Sequence, residues 1–283
     1  MTPCELIRRT STRFRSAGIP DPENDGALLL ASLSGGSPLS LRLDTDTVLD
    51  SSLLSCYEQL VQKRLTRFPL QYILGEAPFC GHVFSVDRRV LIPRPETELL
   101  CCWAREMLAN SRRPRILDLC CGSGCIGLSL KAACPDAVVT LSDLSADALA
   151  VAAENSRRLG LEVELHQGDL LEGFPSSSFE FIVCNPPYIP SSDCEVLQPE
   201  VLFEPRMALD GGPDGLDFYR RLVMSAASVL VPGGALLMEL GNHESTAVSA
   251  LLSSSGYDCI EIRKDLAGID RMILGMRPDG EKP

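Results

Sequence analysis

From residue 115 onward the chain alternates short apolar runs with helical segments, and this alternation limits the possible fold more than any other feature. The runs 115–119, 138–142, 163–166, 179–184, 235–240, 259–263 and 272–276 have strand length and are rich in aliphatic residues. Helical patterns at 146–159, 216–230 and 243–254 separate most of them. Strands that alternate with helices form a parallel sheet covered on both faces. The last two runs are joined by a short loop, which predicts an antiparallel hairpin at one edge. The expected fold is therefore α/β, with a Rossmann-like seven-stranded sheet.

The residues ahead of this sheet read differently. Thr2-Pro3-Cys4-Glu5 has the form of an N-cap, a first-turn proline and an N3 glutamate, opening a helix that stops at Gly18 and Pro20. Arg8, Arg9, Arg13 and Arg15 among serines and threonines imitate a transit peptide, but the capping pattern favours an ordinary first helix. Asp21-Pro22-Glu23 opens a second helix, broken at Gly35-Gly36-Ser37-Pro38, and a third is expected over about 47–67. Extended pieces at 79–84 and 89–92 predict a hairpin, and a helix from Pro93-Arg94-Pro95 to about Leu108 leads into the sheet. The expected division is a small N-terminal helical domain over 1–75, which could be a packing appendage or, as such modules ahead of an enzyme core often are, a substrate-recognition domain, then a hairpin connector over 76–92 and a catalytic domain over 93–283.

Composition excludes several classes. No stretch approaches the ~20 apolar residues of a membrane-spanning helix, and without a signal peptide the expected compartment is the cytoplasm. The 12 cysteines are irregularly spaced and include no C-x-x-C. The three histidines, His82, His166 and His243, have no zinc-ligand spacing. Reduced thiols and no metal site are expected. The net charge of −12 lies wholly beyond Gly75, where 18 basic residues face 30 acidic ones. A protein that grips nucleic acid needs a broad basic surface, so a protein partner fits better and no direct nucleic-acid binding is expected.

The first run leads into Asp118-Leu119-Cys120-Cys121-Gly122-Ser123-Gly124, directly before a helix. Glycines at such a turn let a ligand lie against bare backbone at a helix N-terminus. The pattern suits a nicotinamide cofactor as well as another adenosine-bearing one, because the third small residue of the dinucleotide fingerprint falls on Gly127. The second run ends at Asp143, nineteen residues after Gly124, where a carboxylate can accept both ribose hydroxyls. The third leads into Gly168-Asp169-Leu170, an acidic strand end suited to an adenine amino group. Each aspartate alone could be a helix cap; three such strand ends in order point to adenosine.

Asn185-Pro186-Pro187-Tyr188-Ile189-Pro190 follows the fourth run. Asn-Pro suits a plain turn, yet prolines also stiffen a loop that must hold a reacting group. In a doubly wound sheet the fourth strand neighbours the first, so this loop should face the glycine loop across the strands' carboxyl ends.

Asn185-Pro186-Pro187-Tyr188 at this place resembles the signature of methyltransferases acting on nitrogens conjugated to planar systems: adenine N6, guanine N2 and the glutamine amide. Four further motifs stand in order along the chain. They are Pro69-Leu70-Gln71-Tyr72-Ile73-Leu74-Gly75, Leu91-Ile92-Pro93-Arg94-Pro95-Glu96-Thr97-Glu98, Phe203-Glu204-Pro205 and Asp270-Arg271-Met272-Ile273-Leu274-Gly275. Together they resemble the release factor glutamine N5-methyltransferase (PrmC/HemK) family over nearly the whole chain, most weakly before Arg67. The resemblance implies a class I methyltransferase fold and S-adenosyl-L-methionine as cofactor. It also implies methylation of the glutamine in the Gly-Gly-Gln loop of class 1 peptide chain release factors. Cofactor binding is then expected at Cys120, Cys121, Gly122, Ser123, Gly124, Asp143, Asp169, Leu170 and Asn185, with Thr97 or its neighbours as further contacts. Asn185, Pro186, Pro187 and Tyr188 are expected to bind the substrate, and Asn185, Pro186 and Tyr188 to act in catalysis. The family usually has glycine where this chain has Cys120.

An amide nitrogen is a poor nucleophile because its lone pair is delocalised into the carbonyl. Two acceptors, the Asn185 side-chain oxygen and the Pro186 carbonyl, would orient such a nitrogen and favour the charge that develops on it, with Tyr188 stacked on the planar group. The same loop would serve a ribosomal-protein glutamine methyltransferase or a nucleic-acid amino methyltransferase; the acidic balance beyond Gly75 weighs against the latter. A non-catalytic adaptor would have no reason to keep the loop, and a nicotinamide reductase would leave it unexplained.

Overall fold

The computed structural model describes residues 1–109 and 111–279. They divide into two compact units, one of Met1–Glu76 with Gln198–Phe203, the other of the described residues from Ala77 to Leu197 and from Glu204 onward.

The first unit is helical: α1 (Pro3–Ser16), α2 (Pro22–Ser34), α3 (Pro38–Leu43), α4 (Ser51–Leu65) and α5 (Leu70–Leu74). The capping box at Thr2 and Glu5 forms as the sequence implies, each backbone N–H bonded to the other's side chain. The helix expected over 47–67 begins later, at Ser51, because the Asp44 carboxylate accepts the N–H groups of Asp46 and Thr47 and turns the chain there. Asp50 then caps the helix through the Leu53 N–H at 2.8 Å. Phe14, Leu29, Leu30, Tyr57 and Val61 form its dry centre. The segment Gln198–Phe203 joins this unit through a buried charge network. Arg64 bonds both Asp25 and Glu200, at 2.7 and 2.9 Å, and Arg67 grips Glu200 with two nitrogens at 2.7 and 2.6 Å. Burial pushes the Asp25 carboxyl up. Burial acts the same way on Glu200, but Arg67 and Arg64 outweigh it and hold that carboxyl low.

The second unit begins within a hairpin of β1 (Glu76–Phe79) and β2 (His82–Ser85). The extended piece expected at 89–92 is instead a turn: Asp87 accepts the Arg89 N–H and guanidinium, and the Val90 N–H bonds the Asp87 carbonyl. After α6 (Pro95–Leu108) come β3 (Arg115–Leu119), α7 (Cys125–Ala133), β4 (Val138–Asp143), α8 (Ala146–Leu159), β5 (Glu164–Gln167) and β6 (Phe179–Cys184). The chain closes with α9 (Asp217–Val229), β7 (Leu230–Glu239), α10 (Ser245–Ser254), β8 (Asp258–Lys264) and β9 (Asp270–Met276). The seven-stranded sheet has the order β5-β4-β3-β6-β7-β9-β8. β3 pairs in parallel with both β4 and β6, and β9 is antiparallel to both β7 and β8.

Alternation along the strands builds two cores. Ile116, Phe181, Val183, Ala235 and Leu237 face α6, α7 and α8, while Leu117, Ile182, Leu236 and Met238 face α9 and α10. Near-continuous apolar strands are what a sheet buried on both faces requires. β7 starts five residues earlier than the apolar run predicts, because Leu230 pairs with Phe179 of β6, and beyond it the Gly233 N–H donates to the Arg277 carbonyl at 3.0 Å while the Gly234 carbonyl accepts the Arg277 N–H at 2.7 Å. Between β6 and α9 the chain has only 3₁₀ turns and loop.

Candidate active site

Since β3 lies between β4 and β6, the loops after β3, β4 and β6 emerge side by side at the strands' carboxyl ends. The β3 loop turns sharply, with Cys120 at φ +57°, Gly122 at +53° and Gly124 at +76°. A non-glycine residue in this region costs ~1–2 kcal/mol, so Cys120 carries strain that glycine would not. Behind the loop, α7 presses on the sheet at Gly127, where a Cβ would lie 2.3 Å from Leu141 Cδ2 and 2.9 Å from Asp118 Cβ. The Asp118 carboxylate accepts the Gly127 N–H at 2.7 Å. Complete burial raises its pKa to about 7, and its second oxygen is without a partner among the described residues.

Asp143 ties two loops together, with its oxygens accepting the N–H groups of Gly122 and Ser145, each at 2.9 Å. Burial raises this carboxyl, while those N–H groups and that of Leu144 pull it down. Leu170 sits at φ +53° after β5, and neighbouring Asp169 pairs with Arg221 at 2.8 Å.

The Asn185–Tyr188 loop is held from three directions. Asn185 Nδ2 donates to Thr97 Oγ1 at 3.3 Å, and the Thr97 hydroxyl donates to Glu239 Oε2 at 2.6 Å. The Tyr188 hydroxyl donates to the other oxygen of Glu239 at 3.3 Å. Beneath the loop run Asp210 to Asp217: Ile189 exchanges backbone hydrogen bonds with Leu209 and Gly211, at 2.9 and 2.8 Å. A Cβ on Gly215 would stand 2.4 Å from the Tyr188 carbonyl oxygen. Glu204 is buried and accepts the Ile92 N–H and the Arg94 guanidinium, at 2.9 and 2.5 Å, which binds two of the motifs to each other.

These loops enclose a cleft of about 210 Å³. Of the residues expected from the sequence, Cys120, Gly122, Asp143, Asp169, Leu170, Asn185 and Pro187 line it. Cys121, Ser123 and Gly124 do not. Cys121 and Ser123 are buried in the frame of the turn, where the Cys121 N–H bonds the Ser142 carbonyl and Asn155 bonds the Ser123 carbonyl. Gly124 begins α7. Pro186 and Tyr188 are also absent from the lining: Pro186 is buried, and Tyr188 is fixed by its hydroxyl. Thr97 is also outside the lining and acts on the loop through Asn185. The lining further includes Leu91, the first residue of the Leu91–Glu98 motif, and Arg89, Val90, Met207 and Phe218, which no motif marked. Glu239 did leave a signal, as a carboxylate inside the apolar run Ala235–Leu240.

The donor set fits an adenosine-bearing cofactor on one structural observation: a Cβ on Gly122 would meet nothing within 4 Å, so the backbone there is bare. With the Asn185–Tyr188 loop at the cleft edge, this is the fold of a Rossmann-like methyltransferase. A T. thermophilus 16S rRNA methyltransferase, solved with AdoMet and guanosine, is similar to this chain in fold. It matches with a TM-score of 0.51 at 19% identity, over 71% of this chain and 49% of that one. Residues 97–207 match the methyltransferase small domain, and residues 5–75 match the PrmC N-terminal domain. The release factor glutamine methyltransferase of Deinococcus radiodurans is 40% identical over 98% of this chain and 99% of its own length. That of Bordetella pertussis is 44% identical over 82% and 86% respectively. The chain belongs to the release factor glutamine methyltransferase family.

Proposed function

We propose that this chain methylates the side-chain amide nitrogen of the glutamine in the Gly-Gly-Gln loop of class 1 peptide chain release factors, with S-adenosyl-L-methionine as methyl donor. The observation that carries the reading is the Asn185 amide. Its nitrogen is committed to Thr97, and its oxygen remains free among the described residues as an acceptor at the cleft.

Asp143 would hold the ribose of the cofactor, the Gly122 backbone its methionine portion, and Asp169 and Leu170 its adenine. The cofactor, when bound, supplies an electrophilic methyl group. Asn185 Oδ1 and the Pro186 carbonyl each accept one N–H of the substrate amide, which fixes the nitrogen and stabilises the positive charge developing on it. Tyr188 stacks on the amide plane. Its hydroxyl bond to Glu239 limits the ring's freedom, so little ordering is left to do when substrate arrives. The prolines leave the loop with few alternative conformations.

The test is methyl transfer from labelled S-adenosyl-L-methionine to an unmodified release factor and, separately, to total RNA, with the modified residue mapped by mass spectrometry. Label on the Gly-Gly-Gln glutamine is expected; label only in RNA refutes the substrate assignment. In the same assay Asn185→Ala should lower kcat by ~10²-fold or more while cofactor binding, followed by calorimetry, stays nearly intact. Equal loss of both would make Asn185 a structural residue.

A further inference from the structure

The three side chains behind the Asn185–Tyr188 loop form one hydrogen-bonded chain whose direction is set at its buried end. Glu239 lies on β7 with 1% of its surface exposed. As a carboxylate it can only accept, so Thr97 Oγ1, 2.6 Å from Oε2, has to donate to it. A hydroxyl has a single proton. Once that proton points at Glu239, the Thr97 oxygen can only accept from Asn185, and the group facing it must be the amide nitrogen. The amide oxygen is thereby turned away from Thr97. Free rotation about the last side-chain bond would otherwise leave an asparagine with two nearly equivalent orientations, one of which meets the substrate N–H with a donor.

We propose that Thr97 and Glu239 are positioning residues that set the polarity of the Asn185 amide, so that its oxygen and not its nitrogen meets the methyl-accepting group. The inference rests on the functional reading above for the nature of the acceptor and on the geometry for the polarity. Tyr188 closes the arrangement from the other side, since its hydroxyl occupies the second oxygen of Glu239 at 3.3 Å. One carboxylate therefore fixes both ends of the loop.

The groups facing Glu239 govern its charge. Burial raises its pKa to about 7, opposed by the Thr97 hydroxyl, Arg271 on β9 and the Tyr188 hydroxyl, with Glu96 on α6 adding to the rise. The Tyr219 hydroxyl of α9 donates to the Glu239 backbone carbonyl, at 2.8 Å. A protonated Glu239 no longer compels Thr97 to donate. Turnover should then decline as pH falls through this range.

Thr97→Val keeps the shape of the side chain and removes the hydroxyl; Thr97→Ser keeps the hydroxyl. The Val variant is expected to lose about 10- to 100-fold in kcat with cofactor binding unchanged, and the Ser variant to stay within about threefold of wild type. Glu239→Gln, whose amide can donate to Thr97 and reverse the chain, should lose at least as much as Thr97→Val. If Thr97 acts through Asn185, then adding Thr97→Val to Asn185→Ala should cost no further activity. A multiplicative loss in the double variant, or a Ser variant as poor as Val, overturns the proposal. This cycle is run on whichever acceptor the wild type labels, so a wrong substrate leaves it intact. Independently of turnover, solvent exchange of the Asn185 side-chain protons by ¹H–¹⁵N NMR should show one slowed proton in wild type and Thr97→Ser, and none in Thr97→Val. Equal exchange in all three also overturns it.

Discussion

Replacing Gly211 by alanine tests how closely the Asn185–Tyr188 loop is supported. A Cβ there would lie 2.7 Å from Tyr188 Cα, 2.8 Å from Tyr188 C and 2.8 Å from the Gly215 carbonyl oxygen. Carbon atoms rest at about 3.5–4.0 Å, so the deficit is roughly 0.7–1.3 Å. All three obstacles are backbone atoms, which no rotamer change can move aside. The two segments are also pinned by the Gly211–Ile189, Ile189–Leu209 and Asp217–Gly211 hydrogen bonds at 2.8, 2.9 and 3.1 Å. Either Tyr188 or the 209–217 loop must therefore shift by most of the deficit. A displacement of ~1 Å at reacting groups can cost ~10²-fold in rate, and overpacking costs about 1–3 kcal/mol. We expect kcat for release factor methylation to fall about 10- to 100-fold and the Tm by roughly 2–10 °C. Gly256→Ala serves as the control: φ is +81° there, but a Cβ would meet nothing within 4 Å. It should cost ~1–2 kcal/mol through backbone strain alone and leave turnover unchanged. A folded Gly211→Ala enzyme with kcat within twofold of wild type would refute the reasoning.

The pH dependence of stability has a definite sign. Burial raises the carboxyls of Asp118, Glu239 and Glu244 to about 7 each. The native chain therefore binds more protons than the unfolded chain between their ordinary values near 4 and about 7, and stability falls as pH rises through that window. Urea unfolding should give a lower free energy at pH 8 than at pH 5.5, by a few kcal/mol at most; a rising profile would contradict the burial of these groups. At Cys120 the φ of +57° predicts that Cys120→Val, a β-branched side chain, destabilises by at least about 1 kcal/mol. Cys120→Gly should stay within about 1 kcal/mol of wild type, because relieved strain is offset by lost packing and greater unfolded-state entropy. Equal stability of the Val and Gly variants in thermal unfolding would remove the argument for strain.

Much of this protein is local information. The period of the apolar residues fixes the order of strands and helices in the sheet, and the capping box at Thr2 and Glu5 fixes where the first helix begins. Placing β6 beside β3 needs only the topology of doubly wound sheets, and that alone brings Asn185 near Gly122. Other features depend on groups far apart in sequence. Gln198–Phe203 folds with the helical unit because Arg64 and Arg67 find Glu200 more than 130 residues away. The turn at 87–92 replaces a strand because Asp87 and Glu204 take its N–H groups.

The chain's own residue order thus determined the fold class and marked the loops proposed to bear the chemistry, since strand period, turn residues and motif spacing are read within a few neighbours. Only the tertiary structure decided which expected residues face the cleft and which hold its frame. Cys121 and Ser123 lie in the same short loop as Gly122, yet the backbone turn buries them and exposes the glycine. Nor could spacing reveal Glu239, 142 residues from Thr97, as the buried acceptor that orients the Asn185 amide. Burial and hydrogen-bond direction arise only once distant strands have packed, and they are what convert a motif into an oriented set of acceptors.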